Sequence, residues 1–187
     1  MGHVSGAGTL AALEPAFAAG AATFSLHPLQ TFPDGDTAVE GTPAAVAGSD
    51  DDAASFARAL GESLGMRPFD VPEEQRAAYH AAACMASNFL VALQEASAEL
   101  LTRAGVGGPD GREARELLAP LVLRTAANWA ERGPDALTGP IARGDRATVE
   151  RHRAALAELS PELLDAYEAL AAHTEAISSG RSKEVPA

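Results

Sequence analysis

The stretch Tyr79-His80-Ala81-Ala82-Ala83-Cys84-Met85-Ala86-Ser87-Asn88 lies inside a run, Glu73 to Ala104, that holds no glycine and no proline. Such a run permits one long helix. Pro72 suits its first turn, and Glu73 and Glu74 suit the positive end of its dipole. Tyr79, Ala82, Ala83, Ala86, Leu90, Leu93 and Leu100 recur at helical spacing and predict its core face. His80, Cys84, Ser87, Asn88 and Val91 fall within one arc of about 100° on the same helix. A polar arc on an otherwise apolar helix must find partners or cost stability. It lines a cleft or hydrogen-bonds within the core. His80 and Cys84 stand four residues apart, but two ligands make no metal site, so none is expected.

Towards the C-terminus the pattern stays helical. Gly105-Val106-Gly107-Gly108-Pro109 ends the long helix. A second helix spans about 111–131, with Leu117, Leu118, Leu121, Val122 and Trp129 as its apolar members, and Gly133-Pro134 breaks it. After a loop over 134–144, Asp145 opens a third helix to Leu159, and Ser160-Pro161-Glu162 opens a fourth to Ile177.

Towards the N-terminus it reads as α/β. His3-Val4-Ser5 is the tail of a strand and Thr9–Ala19 a helix limited by Pro15. Short strands are predicted at Ala22–Leu26, ending at His27-Pro28, at Thr37–Glu40 and at Ala44–Gly48. Ser49-Asp50-Asp51-Asp52 caps a helix that stops at Gly65, and Arg67–Val71 is the last strand. The expected organisation is an α/β segment, 1–71, a helical domain, 72–180, and a tail, 181–187.

The chain has 187 residues, 14 Lys+Arg against 26 Asp+Glu and a net charge of −12. With 47% hydrophobic residues it is too apolar for a disordered chain. Clustered positive charge is missing, which argues against a nucleic-acid partner. Residues 1–57 hold no Lys or Arg, so no signal-peptide n-region is visible. Glu14 and Pro15 interrupt the alanine-rich run 7–23, so no membrane span is expected there. Cys84 is the single cysteine, which excludes an internal disulfide. A cytoplasmic location is the default expectation. Lys183 is the only lysine, so the body of the fold has none for proton donation.

Three further clusters carry possible chemistry. Gly6-Ala7-Gly8-Thr9-Leu10-Ala11 spells the dinucleotide fingerprint, yet only five residues precede it and no acidic residue closes a strand about 20 positions on. It reads as a Gly-rich strand-to-helix turn. Ser25-Leu26-His27-Pro28-Leu29-Gln30-Thr31-Phe32 places His27 and Gln30 at the carboxyl end of a strand, where open α/β sheets bind ligands. The alternative is a strand stopped by Pro28 with His27 bonded locally. In Leu137-Thr138-Gly139-Pro140-Ile141-Ala142-Arg143-Gly144-Asp145, Arg143 can clamp a carboxylate or pair with Asp145, which caps the next helix.

Ser5-Gly6-Ala7, Ser25–Phe32, Tyr79–Ala83, Ala86-Ser87-Asn88 and Leu137–Pro140 with Arg143-Gly144-Asp145 together resemble one family. It is the group of Rossmann-like oxidoreductases with a C-terminal domain of unknown function 2520, related to 6-phosphogluconate dehydrogenase and including alternative ketopantoate reductases. The resemblance covers nearly the whole chain, in order. It implies a remnant of a Rossmann sheet followed by an all-α domain like the C-terminal domain of 6-phosphogluconate dehydrogenase. It implies the C-terminal portion of an NAD(P)-dependent reductase of a small 2-oxo acid, ketopantoate being favoured, working as a homodimer. NADP or NAD would be bound mainly by a part that precedes these residues.

By the same resemblance His80 holds the place of a catalytic lysine, with Cys84 and Asn88 in the places of two asparagines. His80 would protonate the alkoxide and Asn88 would orient the substrate. His27 is a rival donor. Ser5 and Gly6 would lie by the nicotinamide, and His27, Gln30, Ser87, Thr138 and Arg143 by the substrate. The alternative expectation is a non-catalytic helical dimerisation or ligand-binding module.

Overall fold

A computed structural model describes residues 1–184, with the side chains of 1–180. The chain forms two compact units, Met1–Leu90 and Val91–Ala187.

The first unit is built on a four-stranded mixed sheet: β1 (Gly2–His3), β2 (Phe24–Pro28), β3 (Pro43–Gly48) and β4 (Arg67–Asp70), in that spatial order. β1 runs parallel to β2, β2 antiparallel to β3, and β3 parallel to β4. Leu26 pairs with Val46, and His27 with Ala45, which sets the register. The parallel pairs need crossovers, and helices supply them. A 3-10 turn (Leu10–Leu13) and α1 (Glu14–Ala18) link β1 to β2; α2 (Asp51–Ser63) links β3 to β4.

The core lies between the sheet and α2. Leu26, Ala44, Val46, Ala57 and Met66 are buried there, with Phe24, Val39 and Leu60 packed against them. Asp50 caps α2 by accepting from the Ala53 amide at 2.8 Å. β3 meets α2 so closely that a Cβ on Gly48 would stand 2.2 Å from the Ala54 nitrogen. Only glycine fits that corner.

Three local expectations need correction. Thr37–Glu40 is not a strand. The Asp34 carboxylate accepts from the Asp36 amide and the Thr37 hydroxyl, and the Gln30 amide donates to Ala38 O, which curls the segment into a loop. Pro15 does not limit a helix but starts one, in the first turn of α1. The long helix is two helices, α3 (Arg76–Ala86) and α4 (Asn88–Arg103), after a 3-10 turn at Glu73–Gln75. The break falls at Ser87, whose hydroxyl donates to Ala83 O at 2.8 Å and lies 2.9 Å from Asn88 Oδ1. There the Ser87 backbone, at φ −119° and ψ −75°, leaves regular helical geometry. Of the expected core face, Ala82, Ala86, Leu90 and Leu93 are exposed. α3 packs with the sheet unit, although the sequence places it in the helical domain.

The second unit holds the rest of α4, then α5 (Arg112–Arg132), α6 (Arg146–Leu159) and α7 (Leu164–Glu184). Arg103 ties α4 to the junction between α6 and α7: it donates to Leu159 O at 2.8 Å and Ser160 Oγ at 3.0 Å, and pairs with Glu162 at 2.7 Å and with Glu99. Arg153 on α6 holds both oxygens of Glu168 on α7, at 2.5 and 2.8 Å. α5 buries only Ala114; Leu117, Leu121, Leu123 and Trp129 are exposed. The expected tail is helical as far as Glu184; its last three positions lie outside the described residues. Among the described residues no helix is long and apolar enough to cross a membrane.

Candidate functional site

β2 carries His27 to the sheet's edge, and α3 brings Tyr79 and His80 against it. His27 Nδ1 and the Tyr79 hydroxyl are 2.7 Å apart, and the rings meet edge to face. The His27 and His80 rings follow at 6.4 Å between centroids. Burial, then the Arg76 guanidinium, then His80 push the His27 imidazole below its ordinary pKa, so His27 is neutral at pH 7. Burial raises the Tyr79 hydroxyl, which stays protonated and hydrogen-bonds His27.

A cleft of about 640 Å³ opens beside this pair. His27, Gln30, His80, Ser87 and Asn88 line it, together with Leu29, Phe32 and Cys84. The polar arc therefore faces a cleft rather than the core. Cys84 Sγ lies 3.9 Å from His80 Nδ1. Gln30 spends an amide hydrogen on its own loop, at Ala38 O. Ser87 Oγ, within 2.8 Å of Ala83 O and 2.9 Å of Asn88 Oδ1, has one hydrogen for these two acceptors.

Ser5 and Gly6 stand on the far side of the imidazoles. Gly6 is buried, and a Cβ on it would come within 2.7 Å of both His27 Nε2 and His80 Cδ2. The turn that follows does not fit a pyrophosphate. Three of its amides are already engaged: Ser5 N to His3 Nδ1, Gly8 N to Ser5 Oγ, and Leu10 N to Glu73 Oε1. A carboxylate thus sits where a phosphate would be cradled, and a four-residue 3-10 turn, not a full helix, follows. The fingerprint-like residues form a Gly-rich turn.

Arg76, which the sequence reading passed over, and Glu73, which it took only for a helix-dipole residue, organise this corner. Arg76 is fully buried; its Nε donates to Gly8 O at 3.0 Å and its Nη2 to Ser5 O at 3.2 Å. Glu73 accepts from the Leu10 amide at 2.7 Å. The signal was there: Glu73, Arg76, Tyr79 and His80 follow helical spacing.

Thr138 and Arg143 belong to the second unit. Thr138 is exposed. Arg143 lines a separate cavity of about 680 Å³ with Arg146, Glu150, Arg153 and Glu175. Asp145 caps α6 through Thr148, whose hydroxyl and amide, followed by the Arg151 and Arg143 charges, hold its carboxyl below the usual range.

Two solved structures share this fold. Protein TM1727 of Thermotoga maritima matches with a TM-score of 0.79 and 25% identity, over 97% of this chain and 69% of its own. A candidate NADP oxidoreductase of Bacteroides fragilis matches with a TM-score of 0.76 and 26% identity, over 94% of this chain and 64% of its own. Sheet, helices and these neighbours define the class: a Rossmann-like, NADP-oxidoreductase-type fold. Residues 42–174 match the family model of the domain of unknown function DUF2520, and the chain belongs to that family. No curated protein matches it.

Proposed function

We propose that this chain is the C-terminal portion of an NAD(P)-dependent reductase of small 2-oxo acids, with ketopantoate the favoured substrate. The cleft that gathers His27, Gln30, His80, Ser87 and Asn88 supports this reading. NADP or NAD, bound in its reduced form, would supply the hydride, and the engaged Ser5, Gly8 and Leu10 amides disfavour the Ser5–Leu10 turn as the seat of its phosphates. His80 gives a proton to the oxygen of the reduced carbonyl. Asn88 donates to the same oxygen or to the carboxylate, and Leu29 and Phe32 exclude water. His27, held neutral, serves as a hydrogen-bond donor or acceptor rather than as an acid. A homodimer fits the exposed apolar side chains of α5.

The direct test is NADPH-dependent reduction of a panel of 2-oxo acids by the gene's full-length product. His80→Ala is expected to cut kcat by about 10²–10⁴-fold. Unchanged turnover would remove His80 from the reaction. Arg143→Ala is expected to raise KM with kcat retained; lowered stability at constant KM would make Arg143 structural.

A second reading draws on the engaged Ser5, Gly8 and Leu10 amides: a non-catalytic helical dimerisation or ligand-binding module. NADPH titration of the full-length product separates the two. Neither fluorescence quenching nor a thermal shift would favour the module.

A further inference from the structure

The geometry points to Arg76, seconded by Glu73, as the positioning residue that fixes the Ser5–Gly8 turn against the His27 and His80 imidazoles; its importance to a reaction rests on the reading of the cleft as a reductase site.

Arg76 heads the fully buried side chains of the chain by size. Burying a guanidinium is costly unless it is paired and hydrogen-bonded. Its nearest carboxylate oxygen, Glu73 Oε2, is 4.0 Å away, and Nη1 has no hydrogen-bond partner among the described residues. Close ion pairing is therefore not what the burial secures. Two of its donors go instead to one turn, at the Ser5 and Gly8 carbonyls, 71 and 68 residues away in sequence. Those carbonyls bracket Gly6, the residue pressed against both imidazoles.

Glu73 completes the clamp. It takes the Leu10 amide, so the turn is gripped on its carbonyl side by one residue and on its exit amide by the other. Both sit on the helical stripe that continues to Tyr79 and His80. Tyr79 orients His27 through its hydroxyl. One helical segment thus sets the turn, the His27 ring and the His80 ring together. A misplacement of about 1 Å at a reacting centre can cost about 10²-fold in rate, which is what such a ruler prevents. The groups facing His27 from α3 are Arg76, Tyr79 and His80; Ala45 pairs with it in the sheet. The weakly compensated Arg76 charge works with burial to hold the ring neutral.

The test uses Arg76→Gln and Arg76→Lys in the 187-residue chain, followed by amide hydrogen exchange and by NMR titration of the His27 ring. In R76Q the Gly8 and Leu10 amides should exchange at least about tenfold faster while α2 and β3 amides keep their protection. The His27 pKa should rise toward its ordinary value. In R76K the cation survives, so His27 should stay depressed, yet the shorter lysine lacks the fixed two-nitrogen fork that meets the two carbonyls and the turn should still loosen. Wild-type exchange and His27 titration in R76Q would overturn the proposal. So would uniformly faster exchange through α2 and β3, the mark of a merely structural arginine. If R76Q does not fold, R76K decides: an unloosened turn overturns the proposal. No readout needs a ligand. A moved His27 together with absent NADPH and 2-oxo acid binding in the full-length product would fail the reductase reading and leave the clamp standing.

Discussion

The two units solve the same problem differently. The first closes a core by itself: sheet and α2 bury Leu26, Val46 and Met66 between two layers. The second buries mainly small or single residues, Ala98, Ala114, Val149, Leu156 and Ala171, and is laced by arginine bridges at Arg103 and Arg153. Its longest apolar display, on α5, faces outward. Exposed ion pairs contribute about 0–1 kcal/mol each, far less than a buried leucine. The sheet unit buries its apolar side chains against its own helix, whereas the helical unit leaves those of α5 exposed. That exposed face is the physical basis of the homodimer proposal.

The largest expected effect is in the first unit. Leu26→Ala removes a side chain 4% exposed at the centre of the core and should cost ~2–5 kcal/mol. Exchange protection of the β3 amides reads this directly. Trp129, the only tryptophan, reports the second unit by fluorescence. Its transition should keep its midpoint in the Leu26 variant; an equal shift would show one cooperative body and break the comparison.

Next in size is Gly6→Ala, whose methyl would enter the space of both imidazoles. Overpacking of this kind costs ~1–3 kcal/mol. It should also lengthen the His27–Tyr79 bond, visible as a changed His27 titration. A neutral outcome on both counts would mean that the turn yields, against the clamp.

For the second unit, Leu121→Glu puts a charge on the uncovered face. Leu121 is 64% exposed, so monomer stability should change by no more than about 0.5 kcal/mol. Self-association, followed by sedimentation over a concentration series, should weaken at least tenfold, about 1.4 kcal/mol. If the unmodified protein sediments as a monomer throughout, the cover is not a second copy.

How much of this was legible beforehand follows the same division. Short strand-like runs set off by Gly and Pro reveal β3 and β4, and the Ser49–Asp52 cap with Gly65 as the stop reveals α2. The cleft was legible too: His80, Ser87 and Asn88 share an arc, and they line it with His27 and Gln30. What periodicity could not show is the fate of polar bonds. The long helix breaks at Ser87, where φ is −119° and ψ −75°, and nothing in hydrophobic spacing marks that position. Thr37–Glu40 has a strand-like composition, yet the Asp34 carboxylate and the Gln30 amide hold it as a loop. Tyr79 looked like core and is instead the partner of His27. Arg76 was passed over because a buried arginine is rare, and its acceptors are about 70 residues distant. Apolar spacing on α5 marked a buried face; a single chain leaves that face open.

The smallest predicted effect sharpens the contrast through pH. His27 has a folded pKa below its ordinary 6.5. The unfolded chain therefore binds more protons than the folded one just below that value, and stability must fall as pH drops from about 6.5 toward the lowered pKa. The second unit carries its shifts on carboxylates: Asp145, Glu162 and Glu168 are all held below their ordinary values. Thr148 is the main cause at Asp145, the backbone amide of Glu162 itself at Glu162, and Arg153 at Glu168. Their contribution is intact above the ordinary carboxylate range and is lost as pH falls through it. Acid titration followed by exchange at β3 and by Trp129 fluorescence should thus show the sheet unit softening first, once the pH falls below the ordinary histidine range, and the helical unit only within and below the carboxylate range. His27→Gln should flatten the first step and leave the second in place; a persistent first step would assign it to another group and free His27 of that role.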